Sequence, residues 1–232
     1  MKIMGLQKTT LLDYPGHVAA TIFLKGCNMR CPFCHNMNIV EASDLEPSYT
    51  IEEIFDFLSK RIGILDGVCI TGGEPTINPE LPDFIRRIKG LGFLVKLDTN
   101  GTNPQMLRKL IDEGILDYVA MDIKTGLSEY GRVCGILGID TGKISESVKL
   151  LNNSNTDHEF RTTLMRQYHT ETVMEEIGKL LEGSDKYFLQ SFKDSDFVPD
   201  HSLSPLTKEE LLEYKAVLQK YINNVEIRGV DL

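Results

Sequence analysis

Short apolar runs alternate with helix-length segments along nearly the whole chain of 232 residues. This alternation is typical of βα units, in which each strand of a parallel sheet is followed by a helix that covers it. Six such units predict an α/β fold, an open, partial (β/α)6 barrel of the TIM type with outer helices, smaller than a closed barrel. The predicted strands are residues 18–24, 67–71, 93–98, 118–123, 159–165 and 187–192, and the predicted helices are residues 51–60, 81–91, 104–113, 144–152, 171–182 and 207–223.

No linker, repeat or low-complexity tract interrupts this pattern, so we expect one domain over residues 1–232. Its core should span about residues 17–195, and a C-terminal helix and edge strand should occupy residues 205–229. The net charge of −9 argues against a nucleic-acid partner, because such proteins usually carry a basic face. The sequence shows neither a signal-peptide core nor an apolar stretch of membrane length, so we expect a cytoplasmic protein without a membrane partner.

Three cysteines lie within eight residues, where Cys27, Cys31 and Cys34 have the spacing C-x3-C-x2-C. A four-iron cluster normally takes four thiolates, so three from one loop would leave one iron open to a substrate or cofactor. A structural zinc site is the alternative, because zinc accepts three cysteines and a histidine, here His35. Adjacent side chains in an extended chain point in opposite directions, so Cys34 and His35 would rarely reach one ion. The spacing therefore favours an iron–sulfur cluster and leaves zinc open.

The other two cysteines, Cys69 and Cys134, lie outside this group. Because the chain shows no secretory signal, we expect its five cysteines to be thiols or metal ligands, with no disulfide framework. Cys69 lies in an apolar run and is predicted to be an inert thiol of the core. No second cysteine cluster follows Cys134, so we expect no auxiliary iron–sulfur cluster.

Glycine-rich and acidic segments lie at the ends of three further predicted strands: TGGEP at 71–75, DTNG at 98–101 and MDIK at 121–124. Catalytic groups of a parallel βα barrel collect at the carboxyl ends of its strands. These three segments should therefore share one rim of the barrel with residues 26–35, which contain the three cysteines and are called the cysteine loop below. Two of their carboxylates, Asp98 and Asp122, would repel each other unless a proton or cation lay between them. The spacing also allows Asp98 to cap the next helix and Asp122 to pair with Lys124.

Together with the cysteine spacing, these three segments resemble the GGEP, DTNG and D-[LI]-K motifs of the radical S-adenosylmethionine family. Within that family the motifs resemble the glycyl-radical-enzyme activases, which include the pyruvate formate-lyase activating enzymes. The opening stretch at 5–16 and the hexapeptide CPFCHN at 31–36 are most similar to the activating proteins of anaerobic ribonucleoside-triphosphate reductase. The resemblance covers about residues 5–195.

This resemblance implies that Cys27, Cys31 and Cys34 ligate a [4Fe–4S] cluster whose open iron chelates S-adenosylmethionine. No catalytic residue beyond these ligands is expected. In the pyruvate formate-lyase activating branch, residues equivalent to Asp98, Thr99 and Asp122 hold a monovalent cation, here Na+ or K+. The residues that the resemblance implies as cofactor contacts are Phe33, His35, Gly72, Gly73, Glu74, Asp98, Thr99, Asn100, Asp122, Lys124 and Arg161.

The implied reaction is reductive cleavage of S-adenosylmethionine to a 5′-deoxyadenosyl radical, which takes a hydrogen atom from a glycine of a partner protein. The implied partners are a glycyl radical enzyme, namely the anaerobic ribonucleotide reductase catalytic subunit, and flavodoxin or ferredoxin as electron donor. Two alternatives stay open. One is a short radical S-adenosylmethionine enzyme acting on a small molecule, for example in a purine-precursor ring contraction, and the other is a zinc-stapled interaction module without enzymatic activity.

Two regions fit the family pattern less simply. Some activases carry a cofactor-binding histidine near the sixth strand, where this chain offers Gln190, and His201 lies several residues beyond in a segment expected at the surface. The stretch RVCGILG at 132–138 resembles the R-V-[SC]-G-Y segment in which glycyl radical enzymes carry their radical glycine. It is either a pseudosubstrate loop or a chance match, and the second interpretation is favoured because short motifs often match by accident.

Overall fold

The computed structural model describes residues 1–41 and 46–230. Its strands are β1 (Ile3–Thr10), β2 (Ala19–Leu24), β3 (Gly67–Gly72), β4 (Leu94–Thr99), β5 (Tyr118–Asp122), β6 (Asp157–Leu164), β7 (Lys186–Ser191) and β8 (Asn224–Arg228). They form one sheet in the order β1 to β8. β1 pairs antiparallel with β2, whereas β2–β3, β3–β4, β6–β7 and β7–β8 are parallel pairs. The predicted α/β fold with a mostly parallel sheet is therefore confirmed.

Helices connect the parallel strands. They are α1 (Met37–Val40), α2 (Ile51–Ser59), α3 (Leu81–Gly90), α4 (Pro104–Asp112), α5 (Tyr130–Val133), α6 (Thr141–Asn152), α7 (Glu171–Leu180) and α8 (Lys208–Leu218), with short 3-10 turns at Pro75–Ile77 and Leu127–Glu129. Capping boxes begin α2 and α8, because Thr50 and Thr207 each accept a hydrogen bond from the backbone N–H of a glutamate three residues on. The predicted start of α2 at residue 51 is confirmed, and α8 begins one residue after its predicted start at 207.

The chain divides into two compact units. The first contains residues 1–28, 36–99 and 105–119, and the second contains residues 29–35, 100–104 and those from 120 onward. The first unit buries the apolar side chains of β2, β3 and α3, among them Ile22, Ile70 and Ile85. The second buries those of β6 and β7 with α7 and α8, among them Phe160 and Leu189. The expectation of one domain stays a prediction.

Each of the six predicted strands corresponds to an observed strand, β2 to β7, with ends that differ by at most two residues. Three observed elements, β1, α1 and α5, are not among the predicted ones. β1 lacks the alternation that marks a half-buried strand, because only its terminal residues, Ile3 and Thr10, are buried. The last predicted helix, 207–223, is shorter than expected, since α8 ends at Leu218. Among the described residues, no helix has the length and apolar character needed to cross a membrane.

Candidate active site

The predicted site residues are distributed over both units. The first contains Cys27, Gly72, Gly73, Glu74, Asp98 and Thr99, and the second contains Cys31, Phe33, Cys34, His35, Asn100, Asp122, Lys124 and Arg161. The three cysteines of the predicted cluster lie within eight consecutive residues, so the chain itself limits how far apart they can be.

The cysteine loop supplies thiols of two kinds. Cys31 is buried, whereas Cys27 and Cys34 are partly exposed, and none of the five cysteines forms a disulfide. The backbone N–H of Cys34 donates to the carbonyl of Cys31 at 3.1 Å, which closes a turn between them. Over residues 1–41 and 46–230, no three His, Cys, Asp or Glu side chains are grouped closely enough to hold one metal ion. In a [4Fe–4S] cluster the thiolates bind different irons, so the donor set of three thiols fits that group.

Two consecutive glycines form the turn at the end of β3. Gly72 has φ +114°, and a Cβ there would overlap the backbone N of Leu24. A Cβ on Gly73 would overlap the carbonyl oxygen of Gly26 and lie 2.5 Å from its carbonyl carbon. The backbone N–H of Glu74 donates to the same carbonyl at 2.8 Å. The turn therefore packs directly on the backbone that leads into Cys27, and only glycine allows this approach.

Glu74 holds this turn together from inside the first unit. Its side chain is buried, and its Oε1 accepts hydrogen bonds from the backbone N–H of Thr76 at 3.1 Å and from the hydroxyl of Thr99 at 2.7 Å. The hydroxyl of Thr76 donates to the same oxygen. Glu74 and Thr99, both predicted as cofactor contacts, thus connect the ends of β3 and β4. Their contact with a cofactor stays a prediction.

A buried lysine that the sequence analysis missed lies beside Asp98. Lys96 is 1% exposed, its ammonium group forms an ion pair with the carboxylate of Asp98, and its Nζ lies 3.8 Å from the sulfur of Cys69. Lysine is almost never fully buried without a partner, and its place inside the apolar stretch Leu94-Val95-Lys96-Leu97 was the signal that could have identified it. Cys69 is fully buried, as predicted.

Asp122, at the end of β5, is paired with two cations of the second unit. Arg161 donates from Nε to its Oδ1 at 2.8 Å, and Lys124 donates from Nζ to its Oδ2 at 3.1 Å. Burial alone would raise the pKa of Asp122, but the charges of Arg161 and Lys124 outweigh burial and lower that pKa to about 2. Burial opposes the charge of Lys124, yet Asp122 and Cys31 raise its pKa. These three predicted site residues therefore form one ionised group.

A second missed residue, His169, fixes the backbone of Lys124. The ring of His169 is 1% exposed, its Nε2 lies 3.1 Å from the carbonyl oxygen of Lys124, and its Nδ1 lies 3.1 Å from the backbone N of Met165. A neutral ring satisfies both contacts when Nε2–H donates to Lys124 and Nδ1 accepts from Met165. Burial lowers the pKa of His169 to about 4, although the hydrogen bonds to Lys124 and Met165 favour the charged form.

We expect His169 to make the folded protein less stable in acid. Its pKa is about 4 when folded and about 6.5 in an unfolded chain. As pH falls below the unfolded value, the unfolded state therefore binds a proton that the folded state does not, and the free energy of unfolding should fall by about 2 kcal/mol between about pH 7.5 and pH 5. Urea unfolding of the anaerobic apoprotein measures this, with His169→Gln as the comparison. An equal loss in the variant would contradict the assignment.

The aromatic candidates of the cysteine loop contact other side chains of the second unit. Phe33 is buried, with its ring centroid 6.4 Å from that of Tyr168. His35 is exposed, and its Nε2 lies 2.6 Å from the carbonyl oxygen of Lys193, so this nitrogen carries the proton and donates. Their predicted contact with adenine stays a prediction.

The remaining polar candidates have separate roles. The side-chain oxygen of Asn100 accepts from the backbone N–H of Thr102 at 3.0 Å and from its hydroxyl at 2.6 Å, which shapes the turn after β4. Gln190 lies in β7 beside Arg228 of β8. His201 is exposed and 3.0 Å from Asp194, as expected of a surface residue.

The monovalent cation stays a hypothesis, and the ion pairs of the two aspartates bear on it. Lys96 supplies a positive charge to Asp98, and Arg161 and Lys124 supply two to Asp122. We therefore expect replacement of Na+ and K+ by a bulky organic cation to change the affinity for S-adenosylmethionine by less than about twofold. Equilibrium binding in the two salts measures this, and a loss of roughly tenfold that K+ restores would instead establish a metal cation.

The sequence matches one protein-family model and is similar to several curated proteins. Residues 21–180 match the model of the Radical SAM superfamily. A Methanocaldococcus jannaschii protein named as a glycyl-radical enzyme activating enzyme is 36% identical over 99% of this chain and 96% of its own length. A Pyrococcus horikoshii protein named as a GTP 3′,8-cyclase is 27% identical over 84% of this chain and 64% of its own length.

A solved structure supports the same fold. The crystal structure of Streptococcus suis SuiB bound to S-adenosylmethionine covers 88% of this chain with a TM-score of 0.66, over 48% of that protein. The sequence identity is 13%, so this similarity concerns the fold alone.

Proposed function

The chain belongs to the radical S-adenosylmethionine superfamily, and we propose that it activates a glycyl radical enzyme, namely anaerobic ribonucleoside-triphosphate reductase. Members of this superfamily use a [4Fe–4S] cluster and S-adenosylmethionine. The observation that carries the proposal is the similarity to a protein named as a glycyl-radical enzyme activating enzyme, over nearly the full length of both chains. The choice of reductase rests on the opening stretch at 5–16 and the hexapeptide at 31–36.

The chain's own residues would bind and orient these cofactors. Cys27, Cys31 and Cys34 would hold the cluster, and the backbone at Gly72 and Gly73 would approach the methionyl part of S-adenosylmethionine without a Cβ in the way. Lys124 and Arg161, held by Asp122, would offer positive charge to its carboxylate. When bound, the two cofactors supply one-electron reductive cleavage, which yields methionine and a 5′-deoxyadenosyl radical.

The proposed substrate is one glycine of the partner protein. A hydrogen atom would leave the Cα of that glycine for the 5′ carbon, which gives 5′-deoxyadenosine and a stable glycyl radical. The one electron consumed would come from reduced flavodoxin or ferredoxin.

The experiment combines the reconstituted protein with S-adenosylmethionine, a reductant and the purified catalytic subunit of an anaerobic ribonucleotide reductase, under strict anaerobiosis. We expect the electron paramagnetic resonance signal of a glycyl radical on that subunit, with 5′-deoxyadenosine formed beside it. A subunit whose radical glycine is replaced by alanine is the matched control. Cofactor cleavage without a radical on the intact subunit would reject this reductase as the target.

A small-molecule reaction is the second candidate, favoured by the similarity to a GTP 3′,8-cyclase over 84% of this chain. Its test is incubation of the reduced enzyme with GTP, and a nucleotide product formed together with 5′-deoxyadenosine would support it. Metal analysis distinguishes both enzymatic candidates, the activase and the small-molecule enzyme, from the zinc-stapled module. About four irons with matching sulfide per chain would exclude that module, and one zinc without iron would support it.

A further inference from the structure

The segment after β5, residues 130–138, contacts the cysteine loop within the second unit. We call it the brace segment, and it consists of α5 and the turn that follows. The backbone N–H of Arg30 donates to the carbonyl oxygen of Cys134 at 2.9 Å. The sulfur of Cys31 lies 3.8 Å from the same oxygen. One carbonyl of the brace segment thus contacts two consecutive residues of the loop, one of them a predicted cluster ligand.

Gly135 brings the two backbones close together. Its φ is +70°, and a Cβ at this position would overlap the carbonyl oxygen of Arg30 and lie 2.8 Å from its carbonyl carbon. The backbone N–H of Ile136 donates to the carbonyl of Gly131 at 2.9 Å, which closes the turn that presents Gly135. The glycine is therefore required both by the shape of the turn and by contact with the cysteine loop.

A row of side chains makes a second contact between the same two segments. The guanidinium of Arg132 lies over the ring of Tyr168, with Cζ 5.0 Å from the ring centroid. The ring centroid of Tyr168 in turn lies 6.4 Å from that of Phe33. Phe33 stands between Cys31 and Cys34 in the sequence. Aromatic rings at this distance attract each other, and a guanidinium over a ring adds to that attraction. The brace segment therefore reaches the cysteine loop through its backbone and through Tyr168.

We propose that the brace segment positions Cys31 and Cys34 for the iron–sulfur cluster and that Gly135 and Tyr168 are positioning residues for this purpose. The inference rests on the proposed function in one respect, namely that the three cysteines hold that cluster. A loop that is held before the cluster binds loses less conformational freedom on binding, and groups that orient metal ligands strengthen metal retention.

The contact with Arg30 explains the glycine of RVCGILG without mimicry of a glycyl radical segment. The close contact with the backbone of Arg30 is by itself enough to require glycine at position 135. A pseudosubstrate role stays a separate hypothesis, and Gly135→Ala does not test it, because the added Cβ would disturb the cysteine loop in any case.

The test compares Gly135→Ala with Gly138→Ala in the full-length protein. Gly138 has φ +75°, close to that of Gly135, but a Cβ there meets nothing within 4 Å. The two variants share the strain of a left-handed alanine, and only the first disturbs Arg30. We expect a chelator to remove iron from reconstituted Gly135→Ala roughly tenfold faster than from Gly138→Ala. In the apoproteins, hydrogen exchange at the amides of residues 29–35 should be faster in Gly135→Ala alone.

Equal iron release and equal exchange in the two variants would overturn the proposal. Should Gly135→Ala not fold, Tyr168→Leu decides, since Tyr168 is partly exposed. It should release iron at least about threefold faster than wild type, and an unchanged rate would overturn the proposal. Failure of the proposed function is distinguishable: if the three cysteines hold no iron–sulfur cluster, wild-type protein acquires none on reconstitution, and if only the target is wrong, the iron-release and exchange differences between the variants persist.

Discussion

Cys31→Ala is expected to reduce 5′-deoxyadenosine formation from S-adenosylmethionine to below detection. A three-cysteine cluster already lacks one protein ligand, so the variant would offer only two thiolates to a group that normally takes four. Cys31 is also the buried cysteine of the three, and its sulfur contacts the Cys134 carbonyl, so water cannot easily replace that sulfur. The measurement is anaerobic reconstitution with iron and sulfide, reduction with dithionite, and chromatographic detection of the product.

Cys69→Ala is the matched control for this variant. Cys69 is fully buried in β3 and lies outside the cysteine loop, so its removal should leave the iron content at the wild-type value. Wild-type product formation in Cys31→Ala would contradict the assignment of an iron–sulfur cluster to these three cysteines. Zinc in place of iron in anaerobically prepared wild-type protein would have the same consequence.

Gly73→Ala is expected to cause the second large loss, in both stability and cofactor cleavage. The new Cβ would overlap the carbonyl oxygen of Gly26, so the turn after β3 and the backbone before Cys27 would have to separate. Overpacking of this kind costs about 1–3 kcal/mol. Separation would also weaken the hydrogen bonds from Gly73 to Leu24 and from Glu74 to Gly26. We expect product formation to fall by at least roughly tenfold, because the affected backbone leads directly into Cys27, a proposed cluster ligand.

Gly90→Ala is the control, since a Cβ at Gly90 meets nothing within 4 Å and the residue ends α3. Alanine is favoured over glycine in helices by up to about 1 kcal/mol, so this variant should be as stable as the wild type or slightly more stable. Urea unfolding and the product assay on both variants measure the effect. Equal stability of Gly73→Ala and Gly90→Ala would show that the turn relaxes without cost.

Much of the framework could be predicted because its signals are local. The apolar runs of β2 to β7 lie within a few consecutive residues, and the capping boxes of α2 and α8 each need only four. Asp122 and Lys124 are separated by one residue, so their ion pair was among the predicted alternatives. By contrast, β1 buries only its two end residues, and the apolar pattern therefore did not reveal it.

The other partners of the candidate site could not be predicted, because they are distant in sequence. Arg161 reaches Asp122 over 39 positions, and His169 reaches the carbonyl of Lys124 over 45. Lys96 is an exception, because it lies only two positions before Asp98 and its place in an apolar stretch was an available local signal; the sequence suggested a helix cap for Asp98 instead. Nothing in the local pattern around Cys134 indicates that its carbonyl contacts Arg30 and Cys31, more than 100 positions earlier.

Periodicity and motif spacing are properties of consecutive residues, and they were enough to predict the α/β architecture and the family, and to propose the three thiols as ligands. The three-dimensional structure was needed to show that Arg161 pairs with Asp122, why Gly73 and Gly135 must be glycine, and which segment contacts the cysteine loop. Those features depend on distances between atoms that folding brings together. Chain order does not set these distances; close packing and the need to pair buried charges do.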